Sequence, residues 1–442
     1  MKFRSTWILF IALVCIALYF FLVEERRRDT EEKETRASRR ILPYHPRDVK
    51  RFVFINPDSD TIQIERKDTN WNIVAPVITD AANPSIESLL MQIVPGRKLD
   101  EFQEVSNLED YGLSRPFATV ILFAENDARP DTIHVGDKTP TRSSCYVQLG
   151  SSRTVLVAQE ITHNVMNKTL YHLRDKNFFH IRKESIDSLA IHSGGSVISL
   201  NREGDDWWLQ SPRARADRAL VDGYLFTLTD AIIRKFVRED TNELGQFGLA
   251  YPMYELTVRR GTEITKMAFG TREGDQVYVV RSGLEKVFLL EDKVLEVFEW
   301  TKDSIRAMNL AFFNIGEVMA FRYETEEMTL ACEARNGMWH MVGTDTPALQ
   351  PYDVQTLLRK LTSIKFVKII TETPPAGKRL DPFLLSVTLE DRDGRLIDTI
   401  TIAAHDDSLE IGTSISAHAV GQLKKGTLND IRRIFDRISI TE

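Results

Sequence analysis

The chain has 442 residues, enough for about two to four domains of ordinary size. It is 43% hydrophobic and 27% charged, which supports packed cores and excludes a collagen-like or wholly disordered chain. A formal charge of −7 gives no general affinity for nucleic acid, and three cysteines exclude a disulfide-dense scaffold or a cysteine-rich zinc or iron–sulfur module.

The first element in chain order is an uncharged run from Trp7 to Val23, WILFIALVCIALYFFLV. Seventeen helical residues span about 25 Å. With Phe3 and its neighbours the run predicts a single uncleaved transmembrane helix over residues 1–23, in contact with the lipid bilayer through Trp7–Val23. The run is aromatic almost to its end and passes directly into Glu24-Glu25, without the small residues of a signal-peptide cleavage site. Residues 24–41 then read as a charged linker or stalk. Their first 17 residues carry seven Lys/Arg and six Asp/Glu, and Glu24 and Arg28 stand at helical i,i+4 spacing. The raw basic count favours a body on the inner side. A short N-terminus ahead of a signal-anchor helix favours the outer side, so the residues alone leave orientation open.

The body repeats at long period. WNIVAP (Trp71–Pro76) is answered by WWLQSP (Trp207–Pro212), and YGLSRP (Tyr111–Pro116) by FGLAYP (Phe247–Pro252), each 136 positions on. An alternating strand follows each. Next come IHVG ending at Gly136 and MAFG ending at Gly270, then CYVQL and VYVV, then VLVA and VFLL. Phe178-Phe179 and Phe312-Phe313 read as closing residues. A divergent third copy places Trp339 268 residues after Trp71 and Pro382 in the position of Pro116, without the aromatic-Gly pair. The predicted units are 42–180, 190–315 and 318–440.

Each unit opens with a strand pair, Phe52–Ile55 with Ile62–Glu65 in the first and Val197–Leu200 in the second. A one-faced helix follows, with stripes Ile86, Leu89, Leu90, Ile93; Val221, Leu225, Leu228, Ile232; and Val354, Leu357, Leu358, Leu361. Short alternating strands and a closing helix complete the unit. The last helix carries Leu428, Ile431, Phe435 and Ile438 and starts near an Asn429-Asp430 turn. One-faced helices and strands must cover each other, so the fold class is α+β: three tandem units, each a mostly antiparallel sheet with packed helices. Trp71, Trp207 and Trp339 read as plugs at the ends of their sheets. Gly112 and Gly248 suit turns with positive φ.

Little in the sequence spells out chemistry. There is no HExxH, GxSxG or phosphate-binding glycine loop. His163, His172 and His180 are a possible but unsupported metal grouping, and Asp391, Asp393 and Gly394 in EDRDGR read as a hairpin turn. Cys145 and Cys332 read as buried thiols. Asp205-Asp206 are adjacent carboxylates on a turn, and Asn167-Lys168-Thr169 matches a glycosylation sequon. Arg174-Asp175-Lys176 reads as a charge cluster covering a repeat edge. No catalytic, cofactor-binding or metal-ligating residue is nominated, and the chain is not expected to be an enzyme. Of Trp207 and Trp208, the second is the better candidate for an exposed contact, with burial under a unit junction as the alternative. Trp208, Tyr224 and Tyr278 are natural lining residues if a junction binds a ligand.

The ordered pieces Trp71–Pro76, Tyr111–Pro116, Gly136, Tyr146-Val147 and Arg174–Phe179, most of them echoed in the second unit, resemble the family of bacterial proteins named for a domain of unknown function, DUF4340. The resemblance covers about residues 42–440. It implies a membrane-anchored protein of the bacterial inner membrane with a periplasmic body. Some members are encoded beside ABC-type transport systems, including ones likened to gliding-motility auxiliary components. It supplies no catalytic residues to carry over. The expected function is therefore a non-catalytic, extracytoplasmic scaffold or auxiliary subunit whose partners are membrane-complex proteins and not nucleic acid. The alternatives are an envelope ligand- or glycan-binding module and an envelope hydrolase.

Overall fold

Alternating inward and outward residues build three antiparallel sheets among the residues described by the computed structural model: 40–124, 129–343, 349–371, 380, 383–406 and 409–439, with Tyr19. The predicted span Trp7–Val23, apart from Tyr19, and the stalk 24–39 lie outside the described residues. Among the described residues no helix is long and apolar enough to cross a membrane.

The first sheet holds β1 Val49–Ile55, β2 Thr61–Lys67, β3 Asn70–Ala75, β4 Thr79–Asp80, β5 Lys98–Phe102, β6 Ala118–Ala124, β7 Asp131–Lys138, β8 Ser144–Leu149 and β9 Val155–Gln159, in the order β4-β3-β2-β1-β6-β7-β8-β9-β5. The second holds β10 Ser188–Ser193, β11 Ser196–Glu203, β12 Asp206–Gln210, β13 Arg213–Arg215, β14 Lys235–Arg238, β15 Tyr254–Arg260, β16 Glu263–Glu273, β17 Gln276–Arg281 and β18 Val287–Glu291. Its order, β13-β12-β11-β10-β15-β16-β17-β18-β14, is the same. The third holds β19 Ala320–Glu324, β20 Thr329–Arg335, β21 Met338–Met341, β22 Phe366–Thr371, β23 Phe383–Glu390, β24 Leu396–Asp406, β25 Leu409–Ser414 and β26 Ala419–Leu423, in the order β21-β20-β19-β23-β24-β25-β26-β22.

Helices α1 Asn83–Ile93, α2 Glu160–Asn164, α3 Leu170–Leu173, α4 Arg218–Thr229, α5 Lys302–Ile305, α6 Pro351–Ser363 and α7 Thr427–Ser439 supply the helical layer. In each module a long helix leads from one edge of the sheet to the strand at the opposite edge, so its apolar stripe crosses the sheet's face. The stripes on α1, α6 and α7 are buried as their spacing predicts. On α4 the stripe stops early. The helix ends at Thr229, so Ile232 is exposed and Ile233 is buried in its place. Asn429 and Asp430 do not precede α7 but lie inside it. The Glu410 carboxylate accepts the N–H groups of Gly426 (3.0 Å) and Leu428 (3.0 Å) at the start of that helix.

The chain forms two compact units, residues 1–177 and 178–442. The first contains the first sheet; the second contains the other two. Phe178 and Phe179 do not close the first core. They pack in the second, and Phe312 and Phe313 pack against the third. The reason lies in the connector. Asp217 N–H donates to Ile305 O (2.7 Å) and Ala307 N–H to Arg215 O (2.9 Å), beside edge strand β13. Leu310 N–H then donates to Ile364 O (2.8 Å) and Phe366 N–H to Met308 O (2.7 Å), at the start of edge strand β22. The segment 305–310 thus joins the second and third sheets edge to edge. In the first unit the same kinds of bond attach Ile41 to Gly96 O (2.8 Å) and Leu42 to Val94 O (3.2 Å), and Asp175 to Asp80 O (3.0 Å).

The glycine motifs have a steric cause. Gly112 and Gly248 have φ of 67° and 70°. Gly136 and Gly270 lie against the carbonyls of Tyr111 and Phe247, where an added Cβ would stand 2.2 and 2.0 Å away. Gly270→Ala is expected to destabilise by about 1–3 kcal/mol because backbone must move. Gly223→Ala, on α4 with nothing within 4 Å of its Cβ position, is expected to stabilise by about 0.4–1 kcal/mol. Urea unfolding of both variants reads the contrast.

Candidate functional site

Several ionisable or aromatic groups recur at equivalent positions of the first two modules. Trp71 Nε1 donates to Glu87 on α1 (2.7 Å), and Trp207 Nε1 to Asp222 on α4 (3.3 Å). Lys138 bonds Glu160 (2.7 Å), and Arg272 lies 3.6 Å from Asp292. Tyr111 packs on Tyr146 and Phe247 on Tyr278, each with ring centroids 4.9 Å apart. Arg174 and Arg306, which follow α3 and α5, are both buried. The Arg174-Asp175-Lys176 segment lies along edge strand β4, with the Arg174 side chain buried; its backbone pairs with Ala81 as that of Arg306 pairs with Ala216. Recurrence assigns these groups to the architecture of the module.

The groups considered for chemistry are held in separate structural settings. His163 stacks on Phe117 (4.0 Å), and its pKa is held down by burial and by Lys138. His172 accepts the Thr169 N–H (3.1 Å) at the start of α3. His180 belongs to the other compact unit. No grouping of three or more His, Cys, Asp or Glu that could hold a metal occurs among the described residues. Asp391 Oδ1 accepts the N–H groups of Asp393 and Arg395, both at 2.9 Å, in a hairpin turn. Tyr224 is buried with its hydroxyl donating to Val294 O (3.1 Å), and Tyr278 donates to Glu273. Trp208, Tyr224 and Tyr278 therefore have separate partners. Burial pushes the Cys145 and Cys332 thiols up to about 12, so almost no thiolate is present at neutral pH. Maleimide at pH 7 is expected to leave both thiols unmodified in the folded protein and to label them in urea, read by mass spectrometry.

The arrangement that recurrence does not explain lies between the second and third sheets. Trp208 is not an exposed contact residue; it is 7% exposed, beneath that junction. The Arg213 and Arg215 guanidiniums stand 4.7 and 5.0 Å from its ring. Arg215 also lies 4.9 Å from the Phe312 ring and pairs with Asp206. The His418 ring meets Trp208 edge-on at 5.7 Å. His418, at φ 50°, sits in the turn after β25. Asp398, fully buried on β24, organises that turn. Its Oδ1 accepts N–H groups from Thr399 (2.8 Å), Ile415 (2.9 Å) and Ser416 (3.2 Å), and Oδ2 accepts the Ser416 hydroxyl. Ser416 Oγ in turn accepts the Phe312 N–H (2.8 Å). Burial pushes the Asp398 pKa up, with those donors opposing. The cluster can fix two sheets against each other. Sequence reasoning passed over Asp398, although it falls in phase with inward-facing Ile400 and Ile402, which was the available signal.

The model of a family described as Domain of unknown function (DUF4340) matches residues 71–215 and again residues 207–383. Each match begins at one of the equivalent tryptophans. No curated protein and no solved structure matches the chain.

Proposed function

The chain belongs to the family described as Domain of unknown function (DUF4340), and we propose that it is a non-catalytic scaffold or auxiliary subunit of a membrane complex, anchored through Trp7–Val23 with its body on the periplasmic face. An ABC-type transporter is the class of complex this reading points to. The third sheet is taken as a divergent third copy. Leu349 N–H donates to Trp339 O (2.7 Å) as Ala216 N–H donates to Trp207 O (2.8 Å) and Ala81 N–H to Trp71 O (3.1 Å).

The observation that carries the reading is the main-chain pairing of 305–310 with both flanking sheets, reinforced by the Trp208–Arg215–Phe312–Asp398 cluster. Two modules held this way supply a surface of fixed geometry, which a scaffold needs and a pocket enzyme does not. In-cell crosslinking of the full-length protein is expected to recover transporter-like membrane subunits. A form lacking residues 1–39 should recover fewer. Recovery of no protein partner, with saturable glycan binding by the purified body, would replace the scaffold with a binding module. Protection of the body from protease in intact spheroplasts would overturn the periplasmic placement.

A further inference from the structure

The C-terminal end of α4 borders a cavity of about 280 Å³ lined by residues that include Phe226, Asp230, Ile232, Arg234, Lys293 and Val294. Phe226 is 59% exposed and Ile232 37%. Two large apolar side chains thus stand at the rim of a hollow roomy enough to take a long side chain. Its charges are unevenly satisfied. Arg234 pairs with Glu291, and Lys293 Nζ lies 3.9 Å from the same carboxylate. Asp230, the C-cap of α4, makes no ion pair among the described residues. A carboxylate there faces the negative end of the helix dipole, so the fold itself disfavours it.

We propose that this cavity receives a lysine or arginine side chain from an extended segment of a partner protein. The aliphatic stem lies against Phe226, Ile232 and Val294, and the cationic head meets Asp230 with the Phe226 ring beside it. Two cations sharing Glu291 on the other rim direct an incoming cation to the Asp230 side. The inference rests on the scaffold reading and gives the partner a chemistry: a basic residue between apolar ones.

The probe is a fluorescein-labelled pentapeptide, Gly-Leu-Lys-Leu-Gly, titrated by anisotropy against the full-length protein in nanodiscs, with empty nanodiscs subtracted. Saturable binding is expected, weakened by added salt. Asp230→Asn should weaken it by about tenfold and Asp230→Glu by no more than about twofold. Phe226→Ala should also weaken it. Lys293→Met should strengthen it, a change of sign that misfolding cannot mimic. Peptides with glutamate or norleucine in place of lysine should bind at least about tenfold more weakly. Equal binding of either peptide, indifference to Asp230→Asn, or absence of saturable binding overturns the proposal. If peptide binding fails while crosslinked membrane subunits persist, only the cavity assignment is lost. If the peptide binds and no subunit is recovered, the scaffold reading is lost and the site stands.

Discussion

Trp207→Ala is expected to destabilise the second module by about 3–5 kcal/mol. The side chain is 1% exposed in the core formed by β10–β18 and α4, among the largest fully buried groups of the protein. Its truncation leaves a cavity that a nine-stranded sheet on one side and a helix on the other cannot both collapse to fill. The lost indole hydrogen bond adds little, because Asp222 keeps Arg218 at 3.4 Å. Hydrogen exchange resolved by segment should show protection lost across residues 188–291. A loss of under about 1 kcal/mol would be inconsistent with a core role. Trp208→Ala should act elsewhere, at the 414–418 turn and at Arg215 with its Phe312 contact, because the indole packs on His418 across the junction and on Arg215, which itself reaches Phe312.

Asp398→Ala is the second large effect, a loss of about 3–5 kcal/mol concentrated at that turn. The substitution removes the acceptor for three part-buried backbone N–H groups and one hydroxyl, and donors left unpaired cost up to about 1–3 kcal/mol each before water enters. Asp398→Asn retains an acceptor oxygen and should cost much less. The two variants also separate charge from hydrogen bonding. Burial raises the folded pKa above the unfolded value near 3.8, so the native state binds the proton more tightly. This group's contribution to stability therefore falls as pH rises through the window above 3.8. Asp398→Asn should abolish that component of the pH slope. Urea midpoints between pH 3.5 and 7 test it; an unchanged slope would assign the dependence to other groups.

The parts of the fold legible in the sequence are those whose cause is local. The Ile86, Val354 and Leu428 stripes follow from helical period, and Gly112 and Gly248 from their turns. Ile232 shows where period misleads: the fourth stripe position exists in the sequence, but the helix has ended at Thr229. The burial of Arg174 and the core that takes Phe178 were hidden for a different reason. Their surroundings come from connectors pairing with chain segments some 50–90 residues away, at Ala81 just past β4 and at Ala231 just past α4. No composition signal marks such a pairing. Trp208 is the hardest case, since its burial depends on His418, 210 positions on.

The attachment of Ile41 and Leu42 beside Val94–Arg97 has a mechanical consequence. Both side chains are buried and Arg40 pairs with Arg97, so tension on the chain upstream is delivered to the first core at the strand end near β5. Under the proposed anchor at Trp7–Val23, the 16 residues 24–39 would reach at most about 55 Å when fully extended and about 24 Å when helical. Under that proposal, lengthening 24–39 would change the reach of the body, whereas cutting into residues 40–42 would remove the attachment beside Val94–Arg97.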